Sequence, residues 1–358
     1  MILRNYGCRI TDAYTFLGFR TVVMENELLR ISILAEKGTD IFEFLYKPMD
    51  IDFMWRSPIG FHHPSNFVPS NSSTQGFFTD YYHGGWQEIF PQGGEASSCK
   101  EAEWGLHGEV SIIPWQYQII KDEIDEVSVK FWVRTYRTPF LLEKTLTMKQ
   151  NQSVLFIDET VTNEGNEEMD FMWGHHPAFG EPFLDEHCVI DIPALKVETA
   201  DDVLTTNRLR PAVYNDWPLV TGMEDNAKVD LSKIPPKSSN TMDMAFITEL
   251  QDGWYGLTHT RKKVGFGMRW DKEVFPHVWY WMVFGGGVGY PWYGRTYNLA
   301  LEPWTSYAIT GGFQQIIKEG MQKKLPAKGQ LKTQLLAIVY TGFEGISKIS
   351  LDGTVSGK

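Results

Sequence analysis

Two segments of this chain place ionisable side chains inside apolar and aromatic runs: Trp173-Gly174-His175-His176-Pro177-Ala178-Phe179 and Leu299-Ala300-Leu301-Glu302-Pro303-Trp304. A charge in such surroundings is costly unless it has a partner or a task. A histidine and a carboxylate in one apolar setting form a general acid/base pair, because burial shifts the proton affinity of each. The aromatic neighbours point to a reactant class. Sugars present flat C–H faces that pack well on Trp, Tyr and Phe.

A third candidate is His107, in Gly105-Leu106-His107-Gly108-Glu109, which follows the glycine-rich stretch Gly84-Gly85-Trp86-Gln87-Glu88-Ile89-Phe90-Pro91-Gln92-Gly93-Gly94. Glycines of this kind let backbone approach a ligand closely. Neighbouring strand residues point to opposite faces, so only one of His175 and His176 can face a given pocket. The same alternation puts Asn298, Ala300, Glu302 and Trp304 on one face and Leu299, Leu301 and Pro303 on the other. If His176 and Glu302 act on one sugar ring, they should face one cleft, roughly 5–7 Å apart. Ordinary readings stay open here: a loop histidine, a hydrogen-bonded core histidine, a strand glutamate facing solvent.

Other chemistries lack a signature. Among the nine histidines there is no HxH or HExxH spacing, and no CxxC occurs, so no metal site is expected. Gly285-Gly286-Gly287-Val288-Gly289 runs into Tyr290-Pro291 rather than a helix, which argues against a phosphate cradle. There is no GxSxG element. No cofactor is expected.

The net charge of −12 and pI near 5.3 argue against nucleic acid or an anionic membrane as partner. A small neutral ligand fits this charge. Cys8, Cys99 and Cys188 are too few for a disulfide framework and suit reduced thiols. Met1-Ile2-Leu3-Arg4-Asn5-Tyr6 lacks a signal-like apolar run, and no segment nears the about 18 apolar residues of a membrane span. A cytoplasmic protein is the expectation. Its oligomeric state is not indicated.

The elements that must position these residues are mostly strands. Period-two alternation marks Leu28–Leu34, Asp40–Tyr46, Glu126–Arg134, Leu142–Met148, Ser153–Val161 and Leu331–Tyr340. The clearest helix is Gly311–Gly320, with Thr310 as N-cap and Gly320 at its end. Pro58–Gly76 and Asn226–Asn240 read as loops. Strands throughout, without alternating helices, predict an all-β fold: a large antiparallel β-sandwich with few short helices, in a single domain over residues 1–358.

In order along the chain, these features resemble the aldose 1-epimerase (galactose mutarotase-like) superfamily. Leu106-His107-Gly108 resembles its Leu-His-Gly, His176-Pro177-Ala178-Phe179 its His-Pro-Tyr-Phe, and Leu301-Glu302-Pro303 its Leu-Glu-Pro. The paired strands between Leu29 and Leu45, and the ending Leu325-Pro326-Ala327-Lys328-Gly329-Gln330, fit the same pattern. The resemblance implies a β-supersandwich and anomer exchange of an aldose by ring opening. Glu302 would be the base at the C1 hydroxyl, ionised at neutral pH, and His176 the acid at the ring oxygen, as an imidazolium. It also implies sugar contacts from His107, from Asp243 in Met242-Asp243-Met244-Ala245-Phe246, and from His175. This last residue replaces the Asn that precedes the acid His in galactose mutarotases. Their upstream Asn-Arg pair is missing too, its region reading Tyr81-Tyr82-His83-Gly84-Gly85-Trp86. Arg56 or Arg269 could stand in for that Arg. Gly85–Pro91 resembles an uncharacterised branch of the superfamily. An isomerase of an acidic or phosphorylated sugar would need cations at the pocket, with Lys100, Arg134, Arg137 and Arg269 as candidates. A non-catalytic sugar binder would not need both Glu302 and His176.

Overall fold

The computed structural model describes residues 4–66, 76–202, 206–224, 227–307 and 312–358. Two antiparallel sheets dominate, one of twelve strands and one of eight. The middle of the larger sheet runs, in spatial order, Asp40–Tyr46, Trp86–Ile89, Gly174–Gly180, Tyr297–Trp304, His277–Phe284 and Thr241–Leu250. The smaller contains Val264–Trp270, Gln330–Thr341, Val154–Asn163, Phe140–Lys149 and Glu126–Arg134 as neighbours. The fold is therefore the expected all-β sandwich, with α-helices only at Gly76–Thr79 and Gly312–Glu319 among the described residues. Thr310 and Gly311, assigned to the start of that second helix, lie outside the described residues. Gly320 follows its end at φ +72°. No helix is long and apolar enough to cross a membrane among the described residues.

The core lies between the sheets, and alternation decides what enters it. Along Gly174–Gly180 and Tyr297–Trp304, Phe179, Leu299 and Leu301 join Val129, Phe131, Leu146 and Phe266 of the smaller sheet. The alternate residues Ala178, Ala300 and Trp304 join Trp279 in a second apolar cluster on the opposite face. The neighbouring strand His277–Phe284 splits likewise, Tyr280 and Met282 going to the core and Trp279 and Trp281 to the other face. Both faces of these strands are covered, which is why their sequences look continuously apolar.

Buried charges are paired, one pair across the core and one within a turn. Lys144 Nζ lies 2.9 Å from Glu88 Oε2, whose other oxygen accepts the Trp173 indole N–H at 3.0 Å. Lys37 Nζ is 2.5 Å from Asp40 Oδ2, and both residues are buried. Such pairs are costly to break, since one removed partner leaves an uncompensated charge.

Candidate active site

On the cavity face of the larger sheet, the central strands form the floor of a hollow of about 430 Å³. His176 and Glu302 lie on adjacent segments of that face, with His176 Nε2 3.5 Å from Glu302 Oε1. They share one cleft, but stand closer than the ring-width expectation. That expectation was wrong in its chemistry: the C1 hydroxyl and the ring oxygen are bound to the same carbon, so an acid and a base serving them need not straddle the ring.

Glu302 is held from behind by Trp304, whose indole N–H donates to Oε2 at 3.0 Å. The Trp304 ring stacks on Trp279 with centroids 4.4 Å apart. It fits only because Gly93 and Gly174 have no side chain; a Cβ on Gly174 would come within 2.1 Å of the Trp304 ring. Gly93 and Gly94 line the hollow as well. Gly84 and Gly85 serve differently, turning at φ +87° and +81° so that their backbone packs against that of Trp55 and Ile41.

Burial works against both charges of the pair. It raises the Glu302 carboxyl well above the usual carboxylate range, opposed by the Trp304 hydrogen bond. It lowers His176 to about 3, helped by His107 nearby. In the empty hollow burial therefore works towards the neutral form of each group, and the imidazole is neutral at pH 7. This departs from the imidazolium expected at His176, which in the empty hollow gains its second proton only in acid.

His107 sits beside the pair, its ring 5.7 Å from that of His176. Its backbone is left-handed at φ +61°, a conformation unusual for a non-glycine residue, and Gly108 follows at φ +70°. Its Nδ1–H donates to the Gly93 carbonyl, which leaves Nε2 as an acceptor. Burial lowers it to about 4, so the ring is neutral at pH 7.

Asp243 borders the hollow, but its carboxylate is already engaged. It accepts from the backbone N–H of Arg208 at 3.0 Å and of Leu209 at 3.1 Å, and from Arg208 Nε at 2.9 Å. His175 does not line the hollow. It points to the core, where Nε2 is 3.1 Å from Glu159 Oε2 and Nδ1 accepts the Trp86 indole N–H at 3.3 Å. Its expected sugar contact is thus replaced by a link to the smaller sheet, as the alternation of strand faces requires.

Several lining residues escaped sequence reasoning. Tyr82 Oη is 3.2 Å from His176 Nδ1, and the tyrosine is buried. It occupies the region where galactose mutarotases were expected to have Arg. Phe78, Trp279, Trp281 and Trp292 complete an aromatic wall. The alternation in His277–Phe284 could have revealed Trp279 and Trp281, which share a face; nothing local marks Tyr82.

The charged lining is acidic. Glu95, Asp202, Asp243 and Glu302 contribute, and no Lys or Arg lines the hollow among the described residues. The segments outside them, 1–3, 67–75, 203–205, 225–226 and 308–311, contain no Lys or Arg in sequence. Lys100 is paired with Glu167, Arg134 with Glu164, Arg56 with Asp52 and Arg269 with Asp252. None of these, nor Arg137, is a lining residue.

A family model described as a domain of unknown function (DUF4432) matches residues 17–337. The chain belongs to this family. No curated protein sequence matches it. Its fold is that of the galactose mutarotase-like proteins. A candidate aldose 1-epimerase from Klebsiella pneumoniae subsp. pneumoniae superposes with a TM-score of 0.69 at 13% identity, covering 93% of this chain and 83% of that one. A galactose mutarotase related enzyme from Lactobacillus acidophilus gives 0.59 at 16% identity, covering 90% and 97%. A galactose mutarotase-like protein from Clostridium acetobutylicum gives 0.60 at 11% identity, covering 94% and 99%.

Proposed function

We propose that this protein is a carbohydrate epimerase of the mutarotase type, exchanging the α and β anomers of an aldose through ring opening. The observation that carries this reading is the His176–Glu302 pair, 3.5 Å apart at the floor of an aromatic hollow. One group takes the proton of the C1 hydroxyl while the other gives a proton to the ring oxygen, and the C1–ring oxygen bond breaks. Rotation about C1–C2 and the reverse transfers close the other anomer. Glu302 is assigned as base and His176 as acid. On this assignment the substrate hydroxyl supplies the hydrogen bond that favours the ionised Glu302.

For Nε2 to exchange its proton, Nδ1 must keep its own. Tyr82 then acts as the acceptor of the Nδ1–H, and His107 Nε2 accepts a sugar hydroxyl. Asp243, whose carboxylate is braced by Arg208 and Leu209, is proposed to meet the sugar from the cavity wall. The acidic lining disfavours the alternative of an acidic or phosphorylated sugar, since no cation faces the hollow among the described residues.

Polarimetry of freshly dissolved α-glucose, α-galactose and a wider aldose panel tests the reading. Glu302→Gln should slow anomer exchange by about 10²–10⁴-fold, the usual contribution of a positioned acid or base. Unaltered exchange in that variant, or no exchange of any aldose by the wild type, would remove the catalytic assignment. Sugar binding without exchange would favour the non-catalytic reading.

A further inference from the structure

A second hollow of about 610 Å³ lies directly beside the first. The two share their walls. Of the segment 78–82, Phe78, Thr79 and Tyr82 face the reaction hollow, whereas Asp80 and Tyr81 face the outer one. Of the segment 290–293, Trp292 faces inward, Tyr290 and Tyr293 face outward, and Pro291 lines both. The two hollows meet at Pro291, the residue common to both linings.

The outer hollow is furnished for a sugar. Tyr290 and Tyr293 are 56% and 61% exposed, a pair of large aromatic side chains left open to solvent within one loop. Arg295 lies over the Tyr293 ring, 6.0 Å from its centroid. The Tyr290 hydroxyl donates to Asp80, which fixes that ring in place and lowers the ordering cost of packing a ligand against it. Flat apolar faces beside a carboxylate, a guanidinium and the His62 imidazole match the alternation of C–H and O–H groups on a pyranose.

We propose that the outer hollow is a second sugar subsite, holding the unit glycosidically linked to the aldose whose anomeric carbon meets Glu302 and His176. The substrate class is then a reducing disaccharide or longer saccharide rather than a free monosaccharide. This inference rests on the mutarotase reading for the inner hollow. No new bond chemistry is involved, because the linked unit only binds.

Anomer exchange measured by magnetisation transfer in NMR compares glucose and galactose with maltose, cellobiose and lactose. At least one disaccharide should show a higher kcat/KM than its reducing-end monosaccharide. Tyr293→Ala should lower kcat/KM for that disaccharide about tenfold, mainly through KM, and leave the monosaccharide within about twofold. Arg295→Gln should shift the disaccharide in the same direction by less. Equal losses on both sugar sizes, or exchange confined to monosaccharides, would overturn the subsite. If no sugar exchanges at all, the mutarotase reading fails instead. Saturation-transfer binding of the same disaccharides then decides the subsite: binding weakened by Tyr293→Ala upholds it, and absent or unaltered binding refutes it.

Discussion

Replacing Tyr82 by Phe isolates one hydrogen bond at the candidate active site. The ring is packed against Trp55, Phe78 and His176, with centroid distances of 5.6, 5.0 and 5.3 Å, and Phe preserves these contacts. Only the hydroxyl 3.2 Å from His176 Nδ1 is lost. In the proposed reaction that hydroxyl accepts Nδ1–H while Nε2 exchanges its proton. Without it, a buried N–H loses its acceptor, at a cost of about 1–3 kcal/mol. The cost is largest when the imidazole is cationic, so it should fall on the chemical step. Converted to rate, this is roughly a 5- to 150-fold loss in kcat. KM should change little, because Tyr82 addresses the catalytic ring and not the sugar. Steady-state polarimetry on the best aldose substrate, with thermal unfolding as the folding control, provides the measurement. A kcat within twofold of wild type, or a loss confined to KM, would show that His176 does not depend on this contact.

Gly174→Ala drives a Cβ into the Trp304 ring, whose indole N–H holds Glu302. Overpacking of this kind costs about 1–3 kcal/mol; a lower melting temperature with impaired exchange is expected, and unchanged activity would separate Trp304 from the positioning of Glu302. His176 lowered to about 3 means that its ring becomes cationic in the free protein only in strong acid. An NMR titration of the imidazole resonances should therefore show no His176 protonation between pH 7 and 5, and a His176 midpoint near the ordinary histidine value of about 6.5 would contradict this. Glu159 is raised to about 8 by burial, so the folded chain keeps a proton that the unfolded chain has released above about 4.5. Its contribution is present below that unfolded value and is lost as pH rises through the folded one. Glu159→Gln should consequently raise the urea midpoint at pH 9 relative to wild type while shifting it little at pH 5; an equal offset at both would refute the linkage.

The all-β fold was legible because period-two patterns survive wherever a strand has one face in the core. Glu126–Arg134 is a strand over the span that alternation marks. His176 and Glu302 were legible for the same reason, as polar residues on the non-core face of otherwise apolar strands. Tyr82 was not. It follows the four-residue helix Gly76–Thr79 in a loop, and its orientation is set by Trp55 and Trp292 from distant parts of the chain. The partner of His175 was equally hidden, because Glu159 belongs to the other sheet and no sequence period relates the two positions. The acidity of the hollow also emerged only in three dimensions, where Glu95 and Asp202 come to line one space.

The two neighbouring histidines tie the reaction hollow to the far side of the molecule. A slip of the Gly174–Gly180 strand by one residue would exchange their faces, presenting His175 to the sugar and withdrawing His176. Trp86 from the same sheet and Glu159 from the smaller one grip His175 against such a slip, so the smaller sheet acts as a ratchet pawl for a hollow that it does not line among the described residues. Inhibitor design aimed at the sugar hollow alone would overlook this second point of control. Directed evolution of the activity has reason to randomise Glu159, Lys144 and Glu88 together with the residues that face the substrate.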